Sequence, residues 1–166
     1  MKKLILIACL LPCLFAFAGP DWADFSGKVV ADGDTVSVLR DGTNTVKIRL
    51  NGIDCPEKRQ AFGTRAKQFT SDLAFGKTVT VIEKEKDRYG RTVGEIILPD
   101  GRSLNRELVR AGFAWWYRHY APKDAELEAL EAEARAGKLG LWIDLNTAAP
   151  PVPPWAYRKE GKKAAR

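Results

Sequence analysis

The chain is 166 residues long, about one domain's worth. Its 45% hydrophobic and 29% charged residues are those of an ordinary soluble globular protein, which excludes a chain too polar to build a core. A formal net charge of +6 favours a polyanionic partner, either nucleic acid or an anionic membrane surface.

The first predicted element is a targeting segment. Lys2 and Lys3 precede an almost wholly apolar run from Leu4 to Phe17, and Ala16-Phe17-Ala18 supplies a small-x-small cleavage pattern. That order of parts predicts a signal peptide over residues 1–18. The run falls short of the roughly 20 apolar residues that span a bilayer, so it is not read as an anchor. Cleavage removes Lys2, Lys3, Cys9 and Cys13, which takes 27 basic residues to 25 against 21 acidic and leaves Cys55 as the one cysteine. A secreted or periplasmic monomer is expected, with no internal disulfide and no stable membrane association after cleavage.

Residues 19–147 are expected to form one domain. From Ser26 to Leu50 the pattern reads strand, turn, strand, turn, strand: Val29 and Val30 precede Asp32-Gly33-Asp34, Val36 and Val38 alternate with Ser37, and Asp41-Gly42 signals a hairpin. Val46, Ile48 and Leu50 alternate with Lys47 and Arg49, as in a half-buried antiparallel meander. Asn51 to Phe62 reads as a loop, Thr64 to Leu73 as a helix ended by Gly76, Val79 to Ile82 and Val93 to Leu98 as two further strands. The polar stretch Glu83 to Arg91 joins those strands. Helices are predicted near Leu104 to Ala111 and from Asp124 to Ala136, the second capped by Gly137. Five short antiparallel strands with a helix after the third suggest an α+β protein, a five-stranded OB-fold β-barrel with three helices. Residues 148–166, rich in proline and then in lysine and arginine, read as an extended basic tail.

Several polar residues form a chemically coherent set. Asp34 follows Gly33 at a strand start, Arg49 lies on the polar face of the third strand, Asp54 and Glu57 follow that strand, and Arg91 opens the fifth. Singly, an Asp in a glycine turn is commonly turn chemistry and a strand Arg is commonly solvated surface. Together, two carboxylates and a backbone carbonyl are hard oxygen ligands suited to Ca²⁺. A third carboxylate can deprotonate a water, and two guanidinium groups can hold a phosphate through paired hydrogen bonds. Phosphodiester hydrolysis needs all three functions.

Asp32-Gly33-Asp34-Thr35, Ile48-Arg49-Leu50-Asn51-Gly52-Ile53-Asp54-Cys55-Pro56-Glu57 and Asp87-Arg88-Tyr89-Gly90-Arg91 resemble the three signature segments of the staphylococcal nuclease family, in that family's order. The resemblance runs from about Gly27 to Trp142, with further similarity in Tyr120-Ala121-Pro122 and Gly140-Leu141-Trp142. It implies a calcium-dependent endonuclease acting on DNA and RNA with little sequence preference, breaking the bond to the 5′ oxygen and leaving 3′-phosphate and 5′-hydroxyl ends. Asp34 and Asp54 would then be carboxylate ligands of Ca²⁺, and Cys55, where the family often has threonine, would contribute its backbone carbonyl. Glu57 would be the general base, and Arg49 and Arg91 the phosphate-binding arginines. Arg88, Tyr89 and Tyr120 would meet the substrate.

The sequence departs from the family pattern in a shorter stretch between Glu57 and Phe62 and in Arg118, which replaces a nucleotide-binding tyrosine. Trp115-Trp116-Tyr117-Arg118-His119-Tyr120 mixes aromatic and basic residues, as where single strands stack, but the favoured reading is that the tryptophans seal the barrel against the helices. Related OB-fold modules that only bind have lost their catalytic residues. Here Asp34, Arg49, Asp54, Glu57 and Arg91 are all present, which favours the enzyme.

Overall fold

β1 (Phe25–Ala31), β2 (Thr35–Arg40) and β3 (Asn44–Leu50) form the expected antiparallel meander. Asp41 and Gly42 both take positive φ, at 52° and 71°, the turn conformation whose twist matches that of its flanking strands. The computed structural model describes residues 25–31, 35–144 and 150–164. The signal segment and Asp34 lie outside them.

After the meander come β4 (Ile53–Asp54), α1 (Gly63–Ala74), β5 (Thr78–Lys86) and β6 (Thr92–Ile97). These are followed by α2 (Leu104–Arg110), β7 (Trp115–Trp116), α3 (Ala125–Ala136), a 3₁₀ turn over Gly140–Asp144 and α4 (Pro154–Ala164). The larger strands pair in the closed order β1-β2-β3-β6-β5, with β5 returning to β1.

The α+β class holds, and several finer expectations do not. Among the described residues there are seven strand segments and four α-helices, where five strands and three helices were expected. The β3–β6 pair is parallel, with Arg49 opposite Val93, so the strands are not all antiparallel. β5 continues to Lys86, which makes its link to β6 a tight turn instead of a long polar connection. The tail, expected to be extended, contains α4. Pro154 supplies a preset φ at its first position, and the Pro153 carbonyl accepts from Ala156 N and Tyr157 N at 3.0 Å each.

Alternation along β2 and β3 turns Val36, Val38, Ile48 and Leu50 inward, and leaves Thr35 and Arg49 outside as cross-strand partners. A core of Val79, Val81, Ile96, Leu104 and Leu108 joins barrel to helices. A second cluster forms around fully buried Trp142, whose ring meets Trp115 edge-on at 4.4 Å beneath the Arg135 guanidinium. There the backbones touch: Leu141 N donates to Gly112 O at 2.9 Å, and a Cβ at Gly112 would lie 2.3 Å from the Leu139 carbonyl. Trp115 and Trp116 are therefore core, while Tyr120 stays exposed.

Asn105, 2% exposed, pins the junction that carries the site. Its Nδ2 donates to Asn51 O at 3.0 Å and Gly94 O at 3.2 Å, and its Oδ1 accepts from Ile96 N at 3.3 Å. Asn105→Ala strands these backbone groups without their side-chain partner, so it should cost about 2–3 kcal/mol, read from the urea unfolding midpoint. A midpoint like that of the parent would show that water replaces the amide at no cost.

Candidate active site

Four pieces of backbone build the site. β3 carries Arg49 on its outer face. The chain then turns at Gly52 and re-enters as β4, which pairs with β7 so that Asp54 stands opposite Trp115. Tyr117 N donates to Gly52 O at 2.8 Å and extends that pairing. Beyond β4, Glu57 is fixed at both ends of its peptide: its N–H donates to Gln60 Oε1 and its carbonyl accepts from Gln60 N, each at 2.8 Å. Gly63 closes against this turn so tightly that a Cβ there would sit 2.2 Å from the Glu57 carbonyl oxygen. Only glycine lets α1 start there without displacing Glu57.

The fourth piece is the β5–β6 turn. The Asp87 carboxylate accepts from the N–H groups of Tyr89 and Arg91 at 2.9 Å each, and from Arg91 Nε at 2.7 Å. Burial would raise the Asp87 carboxyl, but these bonds and the adjacent positive charge outweigh it and hold the group below its ordinary range. Arg91 Nη1 also reaches Thr35 Oγ1 at 3.4 Å. Since Thr35 pairs with Arg49 across β2–β3, the two arginines share one patch of the barrel's outer surface.

All of the sequence-selected residues except Asp34 line one cleft of about 660 Å³: Arg49, Asp54, Cys55, Glu57, Arg88, Tyr89, Arg91 and Tyr120. Asp34 lies outside the described residues. Asp54 is buried, and Arg49 Nη2 donates to its Oδ1 at 2.9 Å. Cys55 is half-buried and packs on the core. The Tyr89 ring is 71% exposed, with the Arg88 guanidinium 5.0 Å and the Arg91 guanidinium 5.7 Å from its centre. Tyr120 stands edge-on to Tyr117 at 4.9 Å. His119 is exposed and sits against Tyr120 at the cleft's edge.

Other residues of the cleft were not selected from sequence. Asp87 and Thr35 stood inside the signature segments without a role, and the Asp-x-x-Gly spacing of Asp87 and Gly90 is a turn signal that could have exposed the first. Tyr117, Trp155, Arg158 and Lys159 also line the cleft, the last three from α4. Arg158 Nη2 donates to Asp54 Oδ2 at 2.6 Å and Nη1 to Glu57 Oε1 at 2.7 Å. Burial would weaken the Arg158 charge, but these two carboxylates more than offset it and bind its proton more firmly. The Tyr117 hydroxyl is raised, first by burial and then by the Asp54 charge.

The cleft thus presents two carboxylates converging on one cation and two anchored guanidinium groups on an adjoining wall. That is a constellation for a phosphodiester. A model of the staphylococcal nuclease homologue family matches residues 47–144, which takes in Arg49, Asp54, Glu57 and Arg91. This chain belongs to the staphylococcal nuclease family. It is 46% identical over 156 residues to a protein of Shigella flexneri named micrococcal nuclease, covering 87% of each chain. It is 47% identical over 148 residues to an uncharacterized endonuclease of Escherichia coli O157:H7, covering 87% of this chain and 93% of the other. A staphylococcal-like nuclease of Arabidopsis thaliana is 39% identical over 113 residues, 68% of this chain and 33% of that longer protein. As a staphylococcal nuclease family member, the chain carries α4 beyond the end of the matched segment. Among the described residues, no helix is long and apolar enough to cross a membrane.

Proposed function

We propose that this protein is a calcium-dependent endonuclease that hydrolyses DNA and RNA with little sequence preference. The observation carrying the reading is the convergence of Arg49, Asp54, Glu57 and Arg91 on one cleft, within a chain whose relatives are named nucleases. The donor set suits the metal. Among the described residues no three His, Cys, Asp or Glu side chains cluster as ligands, yet Asp54 and Glu57 already hold one positive group between them through hard carboxylate oxygens. Asp54, the Cys55 carbonyl and the Asp34 side chain would hold Ca²⁺, which supplies positive charge to polarise the scissile phosphate.

The chain's own residues then divide the work. Arg49 and Arg91 bind phosphate oxygens. Arg49 spends one N–H on Asp54 and has further donors to offer. Asp87 and Thr35 fix the Arg91 guanidinium, so its donors point in set directions before substrate arrives. Glu57 takes a proton from the attacking water, whose oxygen forms the new bond to phosphorus as the bond to the 5′ oxygen breaks and that oxygen takes up a proton from solvent. The products are a 3′-phosphate and a 5′-hydroxyl. Exposed Tyr89 and Tyr120 offer stacking faces that accept any base, which accounts for weak sequence preference. Export to the periplasm or medium belongs to the same reading and rests on the pattern of residues 1–18.

The test is hydrolysis of single-stranded DNA by the purified domain, with Ca²⁺ and then with excess chelator. Cleavage in calcium that leaves 3′-phosphate ends and stops on chelation is expected. Cleavage that survives chelation would discard the metal. No cleavage in calcium by a folded protein would instead make the domain a binding module.

A further inference from the structure

α4 is fastened over the cleft by its first turn. The Trp155 ring stacks on Tyr117 with centroids 4.8 Å apart and planes 5° from parallel, and meets Trp115 edge-on at 5.8 Å. Just before the helix, the Val152 carbonyl accepts from Gln60 Nε2 at 3.0 Å, which ties the strap to the turn that carries Glu57. Arg158 follows Trp155 by three residues and so lies on the same helix face. From there its guanidinium reaches both carboxylates, with Asp54 2% exposed beneath it. A third contact, Nη1 to Asp54 Oδ1 at 3.4 Å, completes the fork.

We propose that Arg158 is a positioning residue of the catalytic centre: it is the cation that holds Asp54 and Glu57 together and is exchanged for the metal ion on loading. The proposal rests on the reading that Asp54 is a metal ligand. The lone pairs that accept from Arg158, on Asp54 Oδ2 at 2.6 Å and Glu57 Oε1 at 2.7 Å, cannot bind a metal ion at the same time. Oxygens that bind Ca²⁺ lie about 2.3–2.6 Å from it, and a guanidinium donating to the same lone pairs would be pressed against a divalent charge. While Arg158 is in place, the Glu57 oxygen that it holds is not available to take a proton from water. Removing Arg158 would take away the cation that Asp54 and Glu57 share and leave the Arg49 contact to Asp54, which favours any incoming cation. The arrangement keeps the acidic pair from repelling itself apart before metal arrives. It also lowers the apparent affinity for calcium, since the ion must displace Arg158 to bind.

The exchange is tested by titrating Ca²⁺ alone into the mature protein by calorimetry, for the parent, Arg158→Gln and Lys159→Gln. Lys159 lines the same cleft and is exposed, so its replacement removes an equal charge one residue away. Arg158→Gln should bind Ca²⁺ at least about fivefold more tightly than the parent, while Lys159→Gln changes affinity by less than about twofold. Equal affinity in the parent and Arg158→Gln would overturn the exchange and leave the metal reading intact. Equal gains in both variants would overturn it too, reducing the effect to general charge. Absence of binding in every protein would overturn the metal reading and the exchange together. Linkage supplies a second measurement that needs no variant: if Arg158 and Ca²⁺ compete, Ca²⁺ must loosen α4. Hydrogen exchange of the α4 amides in the parent should quicken at saturating Ca²⁺, and unchanged protection alongside measurable binding would overturn the proposal.

Discussion

Replacing Glu57 by glutamine is expected to lower turnover by about 10²–10⁴-fold, the range associated with loss of a positioned general base. Glutamine keeps the size of the side chain and its backbone bonds to Gln60 are untouched, so the turn should survive. What disappears is a group able to take a proton from water. The substitution also discharges one arm of the Arg158 fork, so Ca²⁺ affinity should be measured beside kcat. A fall in kcat at saturating metal with an unfolding midpoint like the parent's identifies the base. Full turnover would remove Glu57 from the mechanism and require another proton acceptor in the cleft.

Arg49→Lys is expected to cost about 10²–10³-fold, chiefly in kcat, comparable to removing one transition-state donor elsewhere. The positive charge is retained, so long-range attraction of a polyanion should change little. The fork is not retained. An ammonium on a flexible stem can satisfy Asp54 or a phosphate oxygen, but it cannot hold both in a fixed plane. Steady-state kinetics on a short single-stranded substrate separates the outcomes. A KM effect with kcat intact would mean that Arg49 binds ground state and transition state alike. Unchanged kinetics would make it surface charge.

Legibility in the sequence followed the range of the forces at work. The β2–β3 hairpin was readable because Asp41-Gly42 demands its own backbone conformation and Val46, Ile48 and Leu50 mark an inner face. The end of α3 was readable because Gly137 stands at its C-terminal cap, where its N–H donates to Glu133 O at 2.9 Å. β4 and β7 were not, since two-residue strands carry no period and exist only because their partners come together. The parallel β3–β6 pair depends on a crossover through α1 and β5, which no local pattern encodes. The tail was misread for a similar reason. Its prolines and cations describe a segment with no core of its own, while its helix is held by Trp155 against Tyr117 and Trp115, aromatics some forty residues away in sequence. In the site, the signature segments brought forward Arg49, Asp54, Glu57 and Arg91. Arg158 stood among several tail cations with nothing local to single it out.

The parallel seam between β3 and β6 has a consequence for how the molecule is made. Arg49 and Asp54 are synthesised well before Arg91, and the β3–β6 register that sets Arg49 opposite Val93 can form only once β6 has been made. Such non-local closure is slow compared with hairpin formation. The cleft is therefore completed by a long-range pairing and not by the meander alone. A nascent chain stopped between Arg49 and Arg91 carries one of the two arginines proposed to bind phosphate and not the other, and Arg158 and Lys159 are the last of the cleft's charges to emerge.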